Sequence, residues 1–106
     1  IKRDQILGTV CADLSIHSGQ DYLVSEVCKL TDSLDVLVHN ASTFWPEEFL
    51  KIDRKNFQHM HSVNLEAPFF ITQGLFSVLN NAKNPSVINI LDAMWKRPSK
   101  GYAHYA

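Results

Sequence analysis

A glycine-rich phosphate cradle is missing from these 106 residues, whose four glycines stand far apart at positions 8, 19, 74 and 101. Clustered positive charge is missing too: no run of Lys and Arg is longer than Lys96-Arg97, and the net charge is −1. That balance argues against a nucleic-acid-binding surface. No apolar run approaches the roughly 20 residues needed to span a bilayer, and the start carries no signal-peptide pattern. Only two cysteines occur, Cys11 and Cys28. Both fall at apolar positions of an expected strand and helix, so they read as small core residues of a reduced protein rather than a disulfide. The histidines at 17, 39, 59, 61 and 104 form no zinc-ligand spacing with them, and His59 and His61 point to different sides of a helix. These absences leave a cytoplasmic protein with no metal, nucleic acid or membrane to hold.

What is present alternates between two periodicities. Residues 6–12 (ILGTVCA) form an almost wholly apolar run that predicts a first strand, closed by Asp13. Ser18, with Asp21 three residues on, predicts an N-cap opening a helix over about 19–30, whose apolar stripe is Leu23, Val27 and Leu30. Residues 31–33 make a turn, and 34–38 (LDVLV) a second strand ending in His39-Asn40-Ala41-Ser42. Asp53 caps a long helix over about 54–80. Asn84-Pro85 closes the next turn before a third strand at 87–91, of the kind buried on both faces. Strand, helix, strand, helix, strand implies an open α/β fold, a doubly wound parallel sheet with crossover helices.

In such sheets ligands sit outside the carboxyl ends of the strands. Three strand ends would bring Asp13, Asn40–Ser42 and Asp92 to one edge. A second reading of Asp92 is that it caps its own loop through backbone amides. The long helix carries its apolar residues at Phe57, Met60, Ala67, Ile71, Gly74 and Val78, with Asn64 in the middle of that face. A buried asparagine must be hydrogen-bonded, and it can be a satisfied core residue and nothing more. Pro68 adds a second possibility. It has no N–H to give the carbonyl four residues earlier, which is that of Asn64. A kink is therefore expected here, leaving the Asn64 carbonyl free to hold a water in the crevice.

These motifs resemble the short-chain dehydrogenase/reductases over essentially the whole length. Ala12-Asp13-Leu14-Ser15 resembles the acidic motif after the family's third strand. His39-Asn40-Ala41-Ser42 is similar to Asn-Asn-Ala-Gly after its fourth, Val63-Asn64-Leu65 to the helix segment with the catalytic asparagine, and 86–105 to the fifth strand and active-site loop ending in the catalytic tyrosine. The resemblance implies a Rossmann-like domain of which 1–106 is the central part, strands three to five with their helices. The phosphate loop and the lysine four residues beyond the tyrosine would lie outside it, so the piece alone is expected to be inactive. It also implies catalytic roles for Asn64, Asp92 and Tyr105, and cofactor contacts at Asp13, Leu14, Asn40, Ala41 and Ser42.

Two departures narrow the resemblance. Aspartate stands at 92, thirteen residues before Tyr105, where most of the family has serine, and Ser42 stands where most has glycine. With Thr43-Phe44-Trp45-Pro46, Asp92-Ala93-Met94 and Gly101-Tyr102, the pattern resembles pteridine reductases and dihydromonapterin reductases. That implies NADPH as cofactor and a pterin as substrate, with Ser42, Phe44, Met94 and Tyr102 lining the pterin pocket. The other reading of Phe44-Trp45-Pro46 is an aromatic loop packed for stability. Reducing a ring C=N bond needs a proton on nitrogen, for which a partly desolvated carboxyl of raised pKa is a better partner than a serine hydroxyl. Two other readings stay open: a carbonyl or acyl-carrier reductase of the same family, and a non-catalytic oligomerisation or binding module. In this family the helix at 54–80 would form a tetramer interface, for which Phe69, Phe70 and Leu75 supply an apolar outer side.

Overall fold

The computed structural model describes residues 5–105. Helix α1 spans His17–Leu30, strand β1 Val36–His39, helix α2 Arg54–His61, helix α3 Ala67–Gly74, helix α4 Phe76–Asn80 and strand β2 Ser86–Asn89, with short 3₁₀ turns at Phe49–Lys51 and Ala93–Trp95. The two strands pair in parallel, Val36 opposite Ser86 through His39 opposite Asn89. Parallel strands need a crossover, and the helical passage 54–80 supplies it.

The core lies between the β1 face carrying Leu37 and the helices. Ala67, Ile71, Leu75, Val78 and Leu79 are buried, and Leu14, Leu23, Val24, Val27, Leu34 and Leu37 pack against them. Helices α1 and α3 approach closely at Gly74, where an added Cβ would meet the Val24 methyls at 2.8 and 2.9 Å. The turn before β1 is tied to the end of α4: Leu34 N–H donates to the Val78 carbonyl (2.9 Å) and Asn81 Nδ2 to the Asp32 carbonyl (2.8 Å).

Several expectations are corrected. Residues 6–12 belong to no ladder and carry no regular structure, with Leu7 76% exposed. An apolar run reports that a segment wants cover, but it does not name the edge that would pair with it. Consequently Asp13 follows an irregular segment rather than a strand, and Cys11, on that segment, is exposed; so is Cys28. Helix α1 starts at His17 with Ile16 as N-cap and no side-chain cap bond, leaving Ser18 inside the helix. The turn is instead held by Asp13, whose Oδ1 accepts from Ser15 N–H (2.9 Å) and Oγ (2.7 Å), and by Gln20 Nε2, which donates to the Leu14 carbonyl (2.8 Å). Leu30, expected in the core, is exposed. Strand β1 begins and ends slightly later than expected. Strand β2 is exposed at every position rather than buried on both faces, because only one layer of helices covers this sheet among the described residues.

The long helix exists but is broken. Asp53 caps it as expected, accepting from Asn56 N–H at 2.7 Å. The conflict at Pro68 is resolved by a π-turn over Ser62–Glu66, in which Ala67 N–H bonds to the Ser62 carbonyl five residues back. The proline thus sits in the first turn of α3, where its missing N–H costs least. A second break falls at Leu75. Leu75 is buried at 1% exposure, not on the outer side, because it stands four residues after buried Ile71 and shares its face. Phe57 is exposed and stacks on His61, with ring centres 4.2 Å apart.

Candidate active site

The carboxyl end of β1 and the segment after β2 face each other across an open cavity of about 960 Å³. Ala41, Ser42, Asn64, Asp92, Met94 and Tyr105 all line it. A smaller hollow of about 160 Å³ lies beside it, bounded by Leu14, Asn40, Ala41 and Val63. The structure therefore brings most of the expected residues together around the 40–42 turn. Asp13 lines neither cavity; its hydrogen bonds to Ser15 hold its carboxyl below the usual range.

Ladder bonds carry the chain to this edge. Ile90 N–H donates to the His39 carbonyl at 2.9 Å, extending the β1–β2 pairing past its last residue pair. Asp92 comes next in order and caps the turn Ala93–Trp95, its Oδ1 accepting from Met94 N–H at 2.9 Å. Its other oxygen, Oδ2, accepts from the Tyr105 hydroxyl at 3.2 Å. The loop-cap reading of Asp92 therefore holds, and the same carboxylate also meets Tyr105. The carboxylate is exposed, so the desolvation expected of it is not present. Tyr105 is pushed above its ordinary pKa, first by burial and then by the Asp92 hydrogen bond and charge, against a lowering hydrogen bond with Ser42. It stays protonated at neutral pH.

Asn64 stands in the π-turn and grips the 42–43 loop with its side chain. Oδ1 accepts from Thr43 N–H (2.9 Å) and Ser42 Oγ (3.2 Å), and Nδ2 donates to the Thr43 carbonyl (2.7 Å). The amide is thus the satisfied asparagine of the simpler reading, and its main-chain carbonyl is a separate matter. Wide turns of this kind recur at functional sites, where they re-aim a side chain.

The aromatic residues divide into two. Phe44 is 58% exposed, with its ring centre 5.7 Å from that of Tyr105 and 6.3 Å from that of Tyr102. Trp45 turns the other way, packing on His59 (5.7 Å) and edge-on against His104 (5.8 Å). Phe44 and Tyr102 are not among the residues lining the large cavity, whereas Met94 lines it.

Some of this network was not foreseen. His39 Nε2 lies 2.8 Å from Thr72 Oγ1, whose hydroxyl donates to the Pro68 carbonyl at 2.7 Å, so the imidazole must donate from Nε2. Burial lowers the His39 pKa and favours that neutral form. The link ties the end of β1 to the start of α3. The only hint in the sequence is that His39 replaces an asparagine of the resembling motif.

Comparison with known proteins follows the same lines. A family model described as short chain dehydrogenase matches residues 2–106. A tropinone reductase homolog of Arabidopsis thaliana is 30% identical over 87 residues, 81% of this chain. Among solved structures, a metagenomic short-chain oxidoreductase in complex with NADP superposes at TM-score 0.83, with 25% identity over 92% of this chain. The angucycline C-6 ketoreductase LanV with bound NADP superposes at 0.81, with 28% identity over the same share. The chain spans 33% of the plant relative and 44% and 40% of the two solved chains. No helix among the described residues is long and apolar enough to cross a membrane.

Proposed function

This chain belongs to the short chain dehydrogenase family, and from that premise we propose that it carries the substrate half of the active site of an NADPH-dependent pterin reductase. The observation that supports this reading is the Tyr105 hydroxyl donating to the Asp92 carboxylate at 3.2 Å, where most of the family has serine. Beside that pair Phe44 offers an exposed aromatic face on which a flat heterocycle can stack. Ser42, Met94 and Tyr102 complete the proposed pocket, and Asn40, Ala41, Ser42 and Leu14 the proposed cofactor contacts, with Asp13 acting through the turn it holds.

The residues present fit the cofactor: two cavities flank the 40–42 turn, and the polar edge of the larger one is formed by Ser42, Asn64, Asp92 and Tyr105. NADPH, when bound, supplies a hydride to the carbon of the ring C=N bond. Tyr105 gives the matching proton to the nitrogen. Asp92 holds the tyrosine hydroxyl in place and is itself fixed by the Met94 amide. In this reading the main-chain carbonyl of Asn64 holds a water that relays a proton back to Tyr105. The exposed Phe69 and Phe70 on α3 serve a homotetramer contact, and the protein works in the cytoplasm.

The test is NADPH oxidation by the full-length protein, with dihydropterins offered beside a panel of carbonyl substrates. Turnover confined to dihydropterins is the expected result. Asp92→Ser should then lower pterin turnover by about tenfold or more while NADPH binding is unchanged; equal loss of both would make Asp92 structural. A second reading is a carbonyl reductase, favoured by the ketoreductase among the similar structures. Turnover of carbonyls alone would establish it.

A further inference from the structure

Two cross-loop pairs join the segments that carry Phe44 and Tyr105. The outer pair is Phe44 against Tyr105 itself. One residue inward on each segment lies a second, hidden pair, Trp45 edge-on against His104. The His104 side chain is 1% exposed, and neither ring nitrogen has a hydrogen-bond partner among the described residues. Burying an imidazole in that state is costly and calls for a reason.

Its surroundings supply one. His104 Nε2 lies 3.8 Å from Glu47 Oε2, too far for a hydrogen bond and close enough to reach one with a small movement. Glu47 is itself anchored on both sides. Its carboxylate accepts from Asn56 Nδ2 at 3.1 and 3.2 Å, which fixes it to the first turns of α2. Its N–H donates to the Gly101 carbonyl at 2.7 Å, and Gly101 takes φ 89° to present that carbonyl. The carboxylate is thus held in a fixed position facing an unsatisfied ring nitrogen.

We propose that His104 is a positioning residue: by closing on Glu47 it clasps the 44–47 and 101–105 segments together and sets the gap between Phe44 and Tyr105 that receives the substrate. The proposal rests on the reading that these two rings border the substrate site. It makes no use of the identity of that substrate.

The experiment uses the full-length protein and whichever substrate class the wild type reduces, so failure of the pterin reading leaves it standing. His104→Phe keeps a ring against Trp45 and removes both nitrogens; Glu47→Gln keeps an acceptor for Asn56 and removes the charge. Each should raise the substrate KM about five- to tenfold, leave the NADPH KM within about twofold, and in combination be no worse than either alone. Tryptic cleavage after Lys100, in the exposed segment before Gly101, should be faster in both variants and needs no substrate. Glu47→Gln, made at a partly exposed position, keeps the test open if His104→Phe fails to fold. Additive effects, an unchanged substrate KM, a rise of both KM values together, or unaltered cleavage would overturn the proposal.

Discussion

Asn64→Ala removes three contacts at a stroke and shows what the π-turn is for. The lost bonds are those to Thr43 N–H, the Thr43 carbonyl and Ser42 Oγ, at 2.9, 2.7 and 3.2 Å. A buried polar group left without a partner costs about 1–3 kcal/mol. Thr43 is only half-buried and Ser42 is exposed, so water recovers part of that. The expected loss is about 1–2 kcal/mol, which corresponds to about 2–4 °C in melting temperature per kcal/mol for a protein of 150–250 residues. The substrate KM should rise as well, because the freed loop carries Ser42 and Phe44. Asn64→Asp separates this account from a simple cavity effect. It keeps an acceptor for Thr43 N–H but turns a carboxylate oxygen toward the Thr43 carbonyl, where the amide had donated. The aspartate variant should therefore melt no higher than the alanine variant. If it melts above it, or if neither differs from the wild type in thermal denaturation followed by circular dichroism, the clamp is refuted.

Pro68→Ala restores an N–H that can bond back along the helix; because the proline stands in the first turn of α3, we expect a stability change below about 1 kcal/mol with lower turnover, and unchanged kinetics would count against a role for the wide turn. Gly19→Ala drives a Cβ into the Asp13 carbonyl oxygen, so despite the better helix propensity of alanine the variant should lose about 1–3 kcal/mol in chemical denaturation and bind NADPH more weakly through the displaced 13–15 turn. Asp92→Asn removes the charge that raises Tyr105, so tyrosinate absorbance should show Tyr105 titrating at lower pH than in the wild type. Because the folded Tyr105 pKa lies above its ordinary value of 10.0, its contribution to stability is complete below about pH 10 and fades as pH rises through the folded value. That fade should start at the same pH in the variant but end at lower pH and be smaller in total.

The parts of the fold that were legible in the sequence are those set by one residue and its near neighbours. Asp53 reads as a cap because its side chain serves an amide three residues away. Pro68 reads as a break because it lacks one atom group. The form of the break was not legible: a kink and a π-turn answer the missing N–H equally well, and the proline itself does not choose between them. The 6–12 segment fails for a complementary reason. Its apolar character was read correctly, but pairing is a property of two segments, and one of them cannot announce its partner. The site divides along the same line. Asp92 and Tyr105 could be matched by their spacing of thirteen. The partners of Asn64 and the meeting of His104 with Glu47 depend on how distant loops come together.

At Asp92 the loop cap leaves one carboxylate oxygen for a second contact. Loop cap and active-site acid were set out as alternatives, yet a carboxylate has two oxygens and each has its own partner, Oδ1 the Met94 amide and Oδ2 the Tyr105 hydroxyl. The cap is what orders the second contact. An exposed carboxylate free to rotate would meet the tyrosine only part of the time and would lose side-chain entropy on each encounter. Held by the Met94 amide, it presents Oδ2 to the tyrosine in one orientation. A serine at this position has a single oxygen and cannot serve the amide and the tyrosine in the same geometry. The substitution that separates this chain from most of its family therefore changes how firmly the tyrosine is held, as well as the acidity of its neighbour.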